Sequence, residues 1–95
     1  MKRLNDLAWK NFQNSKIELK SQNDKIYDLY VDYDLLEDSI MGYLYQNLKI
    51  PKEMLDELTE IENELNNLNA QNNSEQELKD IQLILSHIKK LRELL

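Results

Sequence analysis

Between Met1 and Leu95 there is one glycine, Gly42, and one proline, Pro51. Tight turns draw on these residue types, so a chain this poor in them defaults to helix. The apolar residues recur at the matching period. Over 24–48, Ile26, Leu29, Tyr30, Tyr33, Leu36, Ile40, Leu44 and Leu48 fall on one face of a helix. Over 51–68, Met54, Leu58, Ile61, Leu65 and Leu68 are spaced 4, 3, 4, 3. Over 75–95, Ile81, Ile84, Ile88, Leu91 and Leu95 are spaced 3, 4, 3, 4, with Leu78, Leu85 and Leu94 beside them. Pro51 suits the first turn of a helix and pushes Ile50 out of helical geometry. Ser74 and Glu77 match the S-x-x-E capping box. A further, weaker helix is predicted over 5–20, with Leu4, Ala8, Phe12 and Leu19 roughly in phase and Leu7 and Trp9 beside them. KIELK within it alternates like a strand, but one short strand has nothing evident to pair with. SQND after it reads as a turn and cap.

Such stripes are buried only against each other. The prediction is an all-α fold, a small antiparallel bundle of three to four helices, with 1–95 as a single helical domain. A chain of 95 residues buries roughly 60–65% of its unfolded surface, which leaves little room for a deep catalytic cleft. The segment NAQNNS, residues 69–74, decides how the last two helices pair. A turn there closes a hairpin, whereas a helix running through it would pair helices 51–68 and 75–95 between two chains as a homodimer. Gly42 reads as the site of a close helix crossing.

Charge is unevenly placed. Residues 1–20 carry five bases and two acids; residues 21–70 carry three bases and twelve acids; residues 71–95 carry four of each. A middle of −9 repels phosphate backbones and attracts basic surfaces, which disfavours direct nucleic-acid binding. The basic start MKRLNDLAWK is followed by no apolar run, so no signal peptide is expected. Nor does any apolar stretch approach the roughly 20 residues that span a bilayer, so no membrane role is expected. Without cysteine there is no disulfide framework and no thiolate metal site. A cytoplasmic location fits.

The catalytic inventory is thin. His87 is the sole histidine, and it reads as a half-exposed helix residue. The residue three before it is Ile84, so it lacks the E-x-x-H partner of a helical metal site. DYDLLEDSIMGY opens like a calcium loop but has Glu37 where glycine is needed and Tyr43 where glutamate is needed. Gly42 alone makes no phosphate loop. No catalytic residue, metal or cofactor is expected, and the chain reads as a non-enzyme.

Helix 24–48 is the informative element. At about 100° per residue, Leu36, Leu29, Ile40, Tyr33, Leu44 and Tyr30 form the core stripe. Glu37 falls inside it and requires a basic partner or a place at the bundle's edge. A second apolar set (Tyr27, Val31, Leu35, Tyr45) lies elsewhere, with Asp34 and Asp38 interleaved and Asp28 and Asp32 on its far border. Either helix 5–20 packs on this set or a partner does. Asp28/Asp32 and Asp34/Asp38 are i, i+4 pairs of like charge, with no base between Ile26 and Leu48 to relieve them. Aromatic and aliphatic anchors rimmed by acids have the anatomy of a steered interface. The candidate partner-binding residues are therefore Tyr27, Asp28, Val31, Asp32, Asp34, Leu35, Glu37, Asp38 and Tyr45.

A small acidic helical chain without catalytic groups is most simply a binding module for a basic protein. In size, charge and helicity it is similar to bacterial immunity proteins, which are often small, acidic and helical. That likeness implies an inhibitor or antitoxin covering the substrate surface of a basic, nuclease-like toxin. A self-associating structural or adaptor protein and a DNA-mimic regulator are the alternatives.

Overall fold

The computed structural model describes residues 17–95. Three helices follow in order, α1 (Asp24–Tyr45), α2 (Lys52–Asn69) and α3 (Glu75–Leu94), with no strand among the described residues. The all-helical prediction holds. The predicted helix 5–20 lies mainly outside the described residues, and its last part, 17–20, is not helical. The reason is an external acceptor. The amides of Lys20 and Ser21 donate to the Asp80 carboxylate at 2.9 and 2.8 Å, and the Ser21 hydroxyl donates to it at 2.6 Å. Backbone donors satisfied across the fold are not available to a helical ladder. Ile17 and Leu19 pack on the core from this segment.

Asn23 starts α1: its Oδ1 accepts the Ile26 amide at 3.0 Å. The helix was expected to reach Leu48 but stops at Tyr45. Asn47 turns to the left-handed region (φ 54°). Its amide donates to Leu44 O at 3.2 Å, and the Leu48 amide to Tyr43 O at 2.9 Å. These two bonds make a Schellman closure in which asparagine stands where glycine is usual. Leu48 consequently leaves the core stripe and is half exposed.

Pro51 caps α2 from just outside rather than sitting in its first turn, and its carbonyl accepts from Met54 at 3.1 Å. Beyond Asn69 the segment 70–74 turns rather than continuing as helix. The Asn73 amide group donates to Leu68 O and, at 3.0 Å, to Gln71 O. The capping box forms: the Ser74 hydroxyl accepts the Glu77 amide at 3.2 Å, and Glu77 accepts the Ser74 amide at 2.8 Å. α2 and α3 therefore pack against each other within one chain. Arg92 ties them further, donating through Nε to Glu62 at 2.8 Å and through Nη2 to the Thr59 hydroxyl at 3.1 Å.

One apolar cluster fills the space among the three helices. Ile26, Tyr33, Ile40, Leu58, Leu65, Ile81, Ile84, Ile88 and Leu91 are at its centre, all essentially inaccessible. Each such side chain contributes roughly 1.5–3 kcal/mol. Met41 joins the cluster although it stands outside the predicted stripe. Gly42 does not mark a close crossing: among the described residues, its own chain neighbours and helix backbone aside, nothing lies within 4 Å of where a Cβ would stand. No helix of the described residues is long and apolar enough to cross a membrane.

Candidate functional site

The predicted binding residues all lie on α1, but the bundle distributes them over its two flanks. Tyr27, Leu35 and Tyr45 are well exposed, at 58, 63 and 63%. Val31 is half-buried, and Asp28, Asp32, Asp34 and Asp38 are exposed. Asp32 and Leu35 face a depression shared with α2. Asp34, Glu37 and Asp38 stand together on the flank toward α3, where the first and last of them act on the Glu37 carboxyl. An apolar ridge with acids on both sides is thus the outward surface of α1.

Glu37 is the member that is not simply surface. It sits at the α1–α3 junction with its Oε2 3.7 Å from His87 Nδ1, and both side chains are largely buried. His87, expected half exposed, is buried at 7% exposure. Its Nδ1 is 2.5 Å from the Tyr33 hydroxyl, and the two rings meet edge to face at 5.5 Å. Burial is the main force raising the Glu37 pKa to about 7, and the charges of Asp34 and Asp38 add to it; a hydrogen bond from Tyr33 offsets part. Burial, then the Glu37 charge, pushes the Tyr33 phenol far above its ordinary range. The three groups satisfy one another when His87 donates to the Tyr33 oxygen and Tyr33 donates to Glu37. Tyr33 has no solvent-accessible surface. Tyr33 and His87 are thus enclosed, and Glu37 is the most exposed member of the cluster.

Sequence reasoning left Glu37 without a partner, yet the signal was there. His87 lies three residues after Ile84 and four before Leu91, at core spacing. A polar residue at core phase on each of two helices points to a pair.

Among the described residues, the flank toward α2 is open. One depression of about 420 Å³ is lined by Asp32, Leu35, Leu36, Ser39, Met54, Glu57 and Ile61. A second, of about 460 Å³, is lined by Ser39, Gly42, Tyr43, Gln46, Leu48 and Met54. Ser39 and Met54 belong to both, so the two form one groove. Another depression, of about 830 Å³, follows the outer side of α3 from Lys20 to Ser86 and includes none of the predicted residues.

At one end of the bundle the polar groups are structural. Asp80 is fully buried. Burial presses its pKa upward, but the bonds from the Ser21 hydroxyl and the Lys20 and Ser21 amides outweigh it and hold the carboxyl below the ordinary range. Glu77 is held low by the Ser74 amide first and the Asn23 side chain second. Asn23 Nδ2 donates to Glu77 at 2.6 Å. Among the described residues no group of three histidine, cysteine, aspartate or glutamate side chains is placed to hold a metal ion. No family model matches the chain, and neither a curated protein nor a solved structure proves similar to it.

Proposed function

We propose that this chain is a binding module that presents the outward surface of α1 to a basic protein, acting in the cytoplasm as an immunity protein or antitoxin against a nuclease-like toxin. The observation that carries the reading is the surface itself. Tyr27 and Leu35 are exposed beside Asp28, Asp32, Asp34 and Asp38, and no base occurs between Ile26 and Leu48. The buried core uses the opposite side of α1, so packing does not require these carboxylates. Acids at a rim speed capture of a cationic surface and occupy the positions that substrate phosphates take. The enclosure of Tyr33 and His87 supports a non-enzymatic role.

An antiparallel ordering of the helices belongs to the same reading. Its support is that Asn69 pairs with Gln82 and Glu62 with Arg92, so positions advance on one helix as they recede on the other. Self-association through helices 51–68 and 75–95 is the weaker reading, because Leu58, Leu65, Ile84 and Ile88 are already buried within one chain.

The test uses the product of the reading frame adjacent to this gene as the binding partner. Calorimetry with Asp34→Lys/Asp38→Lys should show at least a hundredfold loss of affinity with helicity intact. Binding by the variant with unchanged strength and salt dependence defeats the assignment of the surface.

A further inference from the structure

We infer that the groove between α1 and α2 seats one element of the partner, a basic amphipathic helix whose apolar stripe lies on the groove floor. This rests on the reading of a basic partner and adds a place and a shape. The groove is continuous from Asp32 to Leu48. At 1.5 Å per residue its α1 wall is roughly 20 Å long, enough for about four turns of a docked helix. Its lining carries apolar side chains at positions open to solvent. Leu35 is 63% and Leu48 52% exposed, and Met54 lies between them in the shared stretch. Gly42 leaves open space in the same stretch. A helix that gives up side-chain volume there, without any neighbour needing the room, has space for a docked element.

Charge selects the occupant. Asp32 on α1 and Glu57 on α2 line opposite walls of the groove. Asp28 precedes the first by one turn, and Glu53 precedes the second by one turn. Lysines and arginines flanking an apolar stripe meet this pattern on both sides, the helix-in-groove mode of recognition. A second copy of this chain, with net charge −6, brings like charge to these rims and is the poorer occupant.

The full-length chain, labelled with ¹⁵N, is titrated with a synthetic helical peptide carrying leucines along one stripe and lysines elsewhere. The control peptide has the same composition in shuffled order. The striped peptide should shift the amides of Leu35, Ser39, Gly42 and Met54 and bind at least tenfold tighter than the shuffled one. Gly42→Leu, whose Cβ enters open space, should weaken it at least tenfold with helicity kept. If that variant loses helicity, Ser39→Trp, an exposed position on the same stretch, takes its place. Equal binding of the two peptides, or no binding of either, overturns the groove. So do shifts confined to Tyr27, Asp34 and Asp38 with Gly42→Leu binding as wild type does. The acidic surface is judged separately by Asp34→Lys/Asp38→Lys, which leaves every groove-lining residue in place.

Discussion

Replacing Glu37 by glutamine should make the protein more stable at neutral pH, although it removes a group that touches two buried partners. The folded carboxyl has a pKa of about 7 against 4.5 for an ordinary glutamate. The sign follows from linkage. A raised pKa means the folded state holds the proton more tightly, so this group's contribution is fully present below pH 4.5 and is lost as pH rises through about 7. The separation of the two values corresponds to about 3 kcal/mol at full expression. The Glu37 side chain keeps 17% exposure, and solvent screening lowers the expected effect to about 1–3 kcal/mol. Glutamine copies the neutral form and still accepts from Tyr33. Urea denaturation followed by circular dichroism at pH 4.5, 6, 7 and 8 tests this. The advantage of Glu37→Gln should be small at pH 4.5, open between 4.5 and 7, and level off above. A variant less stable than wild type by more than about 1 kcal/mol at pH 8 refutes the reasoning. Glu37 would then be held as an anion by a protonated His87, with pairing outweighing burial.

Asp80→Ala leaves the Lys20 and Ser21 amides and the Ser21 hydroxyl without their acceptor, at a cost of about 2–4 kcal/mol. Hydrogen exchange at Lys20 and Ser21 should lose protection; unchanged exchange there contradicts the assigned contacts. Because the Asp80 pKa is lowered, its contribution is present above the ordinary aspartate range and lost as pH falls below it, so the variant's deficit narrows in acid. Asn47→Gly should stabilise by up to about 1 kcal/mol, since glycine takes a positive φ without strain. A lower thermal midpoint for this variant counts against the Schellman closure.

The helices were legible because their stripes are long and periodic, and the start of α3 because a capping box is a local device. What the sequence concealed was mostly non-local, the end of the first helix being the local exception. The end of α1 turned on Asn47, whose left-handed conformation competes with several other asparagine roles. The non-helical run 17–23 depends on Asp80, some sixty residues away in sequence. Glycine in a helix usually marks close approach, hence the crossing expected at Gly42; here the space beside it is empty. The acids of α1 were legible as a group, but their division into a flank toward α2 and a flank toward α3 follows from how the helix is rotated on the core. Glu37 shows the limit most clearly. Its phase gave its burial, while its partners, Tyr33 one turn away and His87 on another helix, needed the packed bundle.

The carboxylate of Glu77 serves two helix starts at once, closing the box with Ser74 and holding the Asn23 side chain that caps α1. Helix ends ordinarily fray independently, each at little cost. Here, loosening the first turn of α3 moves the group that fixes the Asn23 cap, and loosening α1 strips a partner from Glu77. The two beginnings are expected to open together, so this end of the bundle should behave as a single cooperative unit.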